Sequence, residues 1–185
     1  MKDHIIPSIR LTLISLIFIA GVYIPAMLAI AQLAPNKGKG SVVIENNNTY
    51  YLNVGQSFKL DKYFWSRPSA VDYNAAGSGG SNKGPSNPAY LAQVNKRIEY
   101  FLVHNPGIKR TQIPSDLVTA SGSGIDPHIS IQAALIQVKR IAVARNLSEN
   151  TLHQLIKKYT EHPLFGLFGP EKINVLELNL ALDNL

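Results

Sequence analysis

An α+β fold, with a single N-terminal transmembrane helix followed by one small, mixed, helix-rich extracytoplasmic domain, is predicted by three observations. Leu11–Leu33 reads LTLISLIFIAGVYIPAMLAIAQL, and no charged residue lies between Arg10 and Lys37. Beyond it, several stretches carry apolar residues at helical spacing behind good cap residues. Ser41–Leu60 sets two apolar and aromatic runs on either side of Asn46-Asn47-Asn48, which is a hairpin pattern.

The uncharged run comes first. At about 1.5 Å of rise per residue it clears the roughly 30 Å of bilayer hydrocarbon with some room for tilt. In hydrocarbon a lone segment satisfies its own amides only as a helix. Pro25 removes one helical bond, so a bend or shielding by a neighbouring helix is expected there, and Pro25 becomes a first candidate for partner docking. A cleaved signal is the competing reading, since Lys2 and Arg10 precede the run and Ala29-Ile30-Ala31 offers a small-x-small site; the protein would then be a secreted binding protein. The run is longer than such a signal needs, which favours retention. Lys2 and Arg10 on one side against Lys37 and Lys39 on the other leave the positive-inside count even. A short leading tail ahead of a long domain is the layout of a signal-anchor. The expected organisation is residues 1–10 as a cytoplasmic tail, 11–33 as the transmembrane helix, 34–41 as a linker and 42–185 as the extracytoplasmic domain.

Composition narrows the function classes. The chain has 18 Lys and Arg against 12 Asp and Glu, scattered rather than striped, which argues against a nucleic-acid surface. It has no cysteine, so disulfides, thiolate metal sites and a lipidated anchor are excluded.

After the hairpin, Tyr63-Phe64-Trp65-Ser66-Arg67-Pro68-Ser69-Ala70 gathers the single tryptophan with two aromatics and an arginine. Tyr63, Phe64, Trp65 and Arg67 are candidates for partner docking; a core corner with the arginine stacked on a ring suits them equally. Asn74–Pro88 is a Gly/Ser/Asn loop, read either as a linker or as backbone wrapped around an anion, although it lacks the Walker pattern. Asn87 then caps a helix with Pro88 at its first position, its apolar face being Leu91, Val94, Ile98, Phe101 and Leu102. Pro114–Val118 fits one helical turn. Ser121–Ser130 holds two glycines, serines, Asp126 and His128, but no Gly-x-Ser-x-Gly elbow, and is read as structural. Asp126 or Ser130 caps a helix burying Ile131, Leu135, Val138 and Ala142, with Gln132, Lys139 and Arg140 turned elsewhere. Ser148 caps the next, with Leu147 stapled onto Leu152 and a stripe of Leu152, Leu155, Ile156 and Tyr159. His153 and His162 lack metal-ligand spacing and are placed at the surface. Asn174–Asp183 alternates like a strand but carries a cap pattern and helix formers, which favours a helix.

Taken together, YFWSRPSA (63–70), SGGSN (78–82), PSNP (85–88), VTASGSGIDPHIS (118–130), ARNLS (144–148) and NVLELNLALD (174–183), in that order after one span, resemble the C-subunit family of Kdp-type potassium-transporting ATPases. The resemblance implies an accessory subunit, a catalytic or assembly chaperone, of a high-affinity potassium uptake pump. Its implied partners are a channel-like potassium-binding subunit, a P-type ATPase subunit and a small hydrophobic subunit. It also implies, by the family's likeness of SGGSN to an ABC-transporter signature, a nucleotide-binding alternative through Ser78, Gly79, Gly80, Ser81 and Asn82. No cofactor of the chain's own is expected, ATP and potassium being handled by the complex. The chain has neither an Asp-Lys-Thr-Gly-Thr phosphorylation motif nor a Thr-Val-Gly-Tyr-Gly filter run. It is therefore expected to be no enzyme on its own.

Overall fold

The apolar run forms one helix, α-helical over Lys2–Phe18 (α1), π-helical over Ile19–Tyr23 and α-helical again over Ile24–Ala31 (α2). The structure is a computed structural model describing residues 2–34, 36–45 and 47–185; Asn46 of the expected hairpin break and Pro35 of the linker lie outside the described residues. The helix begins well before the uncharged run, with Pro7 inside it. The irregularity expected at Pro25 takes the form of the π turn just ahead of it, where the Ile24 amide donates to the Ile19 carbonyl. Widening the turn there relieves the crowding of the Pro25 ring against the preceding turn. His4–Ala31 is long and apolar enough to cross a membrane, and none of it is buried within the chain.

The chain divides into two units, Met1–Tyr51 and Leu52–Leu185. The first holds the hairpin, β1 (Val42–Glu45) antiparallel to β2 (Asn48–Tyr51) with Val43 opposite Tyr50. Asn47 sits at φ +62° in the turn, a conformation asparagine tolerates.

The second unit is mixed helix and sheet. Its helices are α3 (Pro88–His104), α4 (Ile131–Leu135), α5 (Val138–Arg145), α6 (Glu149–Lys158) and α7 (Val175–Asp183). A small antiparallel sheet has the order β3 (His128–Ile129), β5 (Lys172–Asn174), β4 (Thr160–Glu161). The expected caps are present: the side chains of Asn87, Ser130, Ser148 and Asn174 accept from Tyr90, Ala133, Thr151 and Leu176 amides. The C-terminal segment is helix, and Ser115–Leu117 is the single expected turn.

Two helix readings are corrected. The face expected on α3 is only partly covered: Phe101 is buried, Val94 and Ile98 are half-buried, and Leu91 is 47% exposed. The helix expected from Ile131 through Ala142 is two helices, broken at Ile136 and Gln137. The reason is local. The Gln137 amide donates to the Ala134 carbonyl, while its side-chain Nε2 takes over the Ala133 carbonyl at 2.9 Å. The buried apolar residues are then Ala133, Ala134, Ile136, Val138, Ile141 and Ala142, with Leu135 half-buried. They join Phe64, Ile129, Leu152, Ile173, Leu178 and Leu182 in one core.

Candidate functional site

Ser78–Asn82 is held between two other loops. The Gly79 amide donates to the Ser123 carbonyl at 2.9 Å, and a Cβ on Gly80 would stand 3.0 Å from the Gly122 carbonyl oxygen. From the other side Gly124, at φ +71°, approaches so closely that a Cβ there would lie 2.5 Å from the Gly79 oxygen. The glycines of this region therefore serve close backbone packing. Ser78 and Asn82 are exposed, whereas Gly79, Gly80 and Ser81 are half-covered.

The segment Tyr63–Ala70 supports this loop cluster with its second half. The Ser69 hydroxyl donates to the Gly124 carbonyl and accepts from the amides of Val71 (3.1 Å) and Tyr73 (2.8 Å). Those bonds hold Asp72 and Tyr73 at positive φ. The Tyr73 hydroxyl donates to the Arg67 carbonyl at 2.7 Å, and burial, then the Asp72 charge, push its pKa up to about 12. Arg67 pairs with Asp126 at 2.8 Å, and Asp126 also accepts from the His128 amide at 3.0 Å. The His128 side-chain contact, followed by that amide and the Arg67 charge, holds the Asp126 carboxyl down at about 2 against the opposing effect of burial. His128 reaches on to Glu161 at 3.3 Å, which pairs with Lys172 at 3.3 Å.

The first half of the same segment faces the helices. Phe64 is wholly buried and Trp65 is 8% exposed, so both are core residues in this unit. Their backbone has no strand beside it; buried side chains take the place of one. The Phe64 amide donates to Asn179 Oδ1 and its carbonyl accepts from Asn179 Nδ2, both at 2.9 Å. The Trp65 amide donates to Gln137 Oε1 at 2.8 Å. Arg140 donates to the carbonyls of Tyr63 (2.6 Å) and Asp61 (3.1 Å), with its guanidinium 3.9 Å from the centre of the Trp65 ring. Burial lowers its pKa to about 10. Arg140, expected to turn away from the buried face, is itself buried, and an arginine does stack on the tryptophan, but it comes from α5 instead of the motif. Tyr63 is half-buried and donates to Asp183 at 2.9 Å.

The loop residues and the aromatic residues are not brought into one pocket. A groove of about 480 Å³ is lined by Phe58, Trp65, Tyr73, Tyr100 and Phe101 with Lys59, Lys96 and Arg97, and by none of Ser78–Asn82. Among the described residues no cluster of His, Asp and Glu is placed to hold a metal ion. His153 and His162 are exposed, His162 pairing with Glu171 at 2.8 Å. Sequence reasoning missed Gln137 and Asn179; the signal for Asn179 was one amide among the apolar residues of α7, whereas Gln137 stands at the break between α4 and α5.

Comparison with known proteins covers the chain from end to end. The family described as K+-transporting ATPase, c chain (KdpC) matches residues 5–184. The potassium-transporting ATPase KdpC subunit of Flavobacterium psychrophilum is 52% identical, over 98% of each chain. That of Flavobacterium johnsoniae is 53% identical over 96% of each, and that of Bacteroides thetaiotaomicron 48% over 95% of each. With the membrane-length helix His4–Ala31, a mixed helix and sheet unit, and this similarity over residues 5–184, the chain belongs to the KdpC family of potassium-transporting ATPase subunits.

Proposed function

We propose that this chain is the accessory subunit of a high-affinity, ATP-driven potassium pump, anchored by α1 and α2 with residues 42–185 outside the cytoplasm. It stabilises the complex and assists a channel-like potassium-binding subunit, a P-type ATPase subunit and a small hydrophobic subunit, which carry the chemistry. The observation that carries this reading is the family match over residues 5–184. Further support comes from the chain's lack of a phosphorylated-aspartate motif and of a filter run. A nucleotide-cradling role for Ser78–Asn82 is disfavoured, because the Gly79 amide that would face a phosphate already donates to Ser123. The loop reads better as a rigid corner that fixes the shape of a docking face.

The test is complementation with the whole pump. Cells lacking only this subunit should regain growth at low potassium when it is restored, while the purified chain alone hydrolyses no ATP. Turnover by the isolated chain would overturn the accessory reading.

A further inference from the structure

The loop between β4 and β5 exposes four large apolar side chains in succession. Leu164, Phe165, Leu167 and Phe168 are 63%, 85%, 80% and 66% exposed, and no charge occurs from Pro163 to Pro170. A contiguous apolar tip of this kind marks a contact surface.

We infer that this loop is a second, interfacial membrane contact, dipping its tip among lipid acyl chains. Three features favour lipid over a protein groove. First, the loop turns back on itself through four backbone hydrogen bonds of its own. Leu164 and Phe168 exchange amide-to-carbonyl bonds, the Gly166 amide donates to Pro163 and the Leu167 amide to Leu164, at 2.9 to 3.1 Å. Each amide paired in this way lowers the cost of taking the tip out of water, and the tip groups left over can keep water or headgroup partners at the interface. Second, charge begins at the base and not before. His162 pairs with Glu171, and Glu161 with Lys172, across the two strands below the tip. Such a collar suits the headgroup layer, with phenylalanine and leucine beneath it. Third, the membrane-length helix His4–Ala31 tethers the unit, so a bilayer surface is present at high effective concentration whichever side the unit occupies. The inference thus rests on the anchor and not on the outward placement proposed above.

The experiment uses the full-length chain, which has no cysteine of its own. Leu167→Cys and, as a control on α6, the exposed Asn150→Cys are each labelled with an environment-sensitive fluorophore. Each is reconstituted into phosphatidylcholine vesicles, alone and in the assembled pump, with some lipids carrying a nitroxide high on the acyl chain. The label at 167 should shift to the blue and lose most of its emission to the lipid nitroxide, while that at 150 is quenched only by aqueous iodide. Adding Phe165→Ser and Phe168→Ser should return the 167 label to iodide quenching without changing the fold, since both rings are exposed. Iodide quenching at 167 in the parent would overturn the proposal. So would shielding from both quenchers in the pump, which would mean that a protein partner covers the tip.

Discussion

Asn179 on α7 holds both backbone hydrogen-bonding groups of Phe64, accepting from its amide and donating to its carbonyl at 2.9 Å each. A side-chain carboxamide thus does for an isolated extended residue what a neighbouring strand would otherwise do. Both partners are buried, so water cannot replace the carboxamide. Asn179→Ala should therefore cost about 2 to 4 kcal/mol, the penalty for two stranded buried groups. The exposed Gln154→Ala should cost within about 0.5 kcal/mol. Denaturant unfolding of the full chain in detergent micelles checks both.

Arg140 makes a parallel case with a charge. Its planar fork donates to two carbonyls while lying on the Trp65 ring. Lysine keeps the charge and loses both the fork and the stacking surface. Arg140→Lys should destabilise by about 2 to 3 kcal/mol. Near-ultraviolet circular dichroism should also lose signal as the single tryptophan loosens.

Gly124→Ala should release the 78–82 loop. Its φ of +71° already disfavours a side chain, and the new Cβ would collide with the Gly79 carbonyl oxygen. Limited proteolysis should then cut within residues 77–84, where the parent resists. Gly84→Ala, with nothing within 4 Å of its Cβ, should leave the pattern unchanged.

Acid should weaken the sheet corner at Asp126. Its carboxyl titrates near 2 in the folded chain, below the ordinary 3.8, so the unfolded chain binds the proton more readily. The resulting stabilisation is fully present above about pH 4 and fades as pH falls toward 2. With Asp126 partly exposed and solvent-screened, it amounts to about 1 to 2 kcal/mol. Asp126→Asn should flatten that part of the stability-against-pH curve.

Much of this architecture is legible locally. The membrane-length run and the caps at Asn87, Ser148 and Asn174 are written within a few residues of where they act, and the structure carries them. Arg140 and Gln137 were hidden because their partners, Trp65 and Tyr63, come from a distant segment; spacing on a helix says nothing about which ring or carbonyl will meet it. Gly77, Gly79 and Gly80 beside Ser81-Asn82-Lys83 resembled an anion cradle for a similar reason. What Gly79 and Gly80 accommodate is the backbone of Gly122–Gly124, an approach that only the folded chain reveals.

The most direct measurement of the central claim is the side of the membrane on which the 78–82 loop lies. Ser78 is exposed, and Ser78→Cys introduces the only thiol in the chain. A membrane-impermeant maleimide applied to intact cells at mildly alkaline pH should label full-length protein within a functioning pump. Labelling that appears only after the membrane is broken would put the loop on the side of ATP and contradict the account.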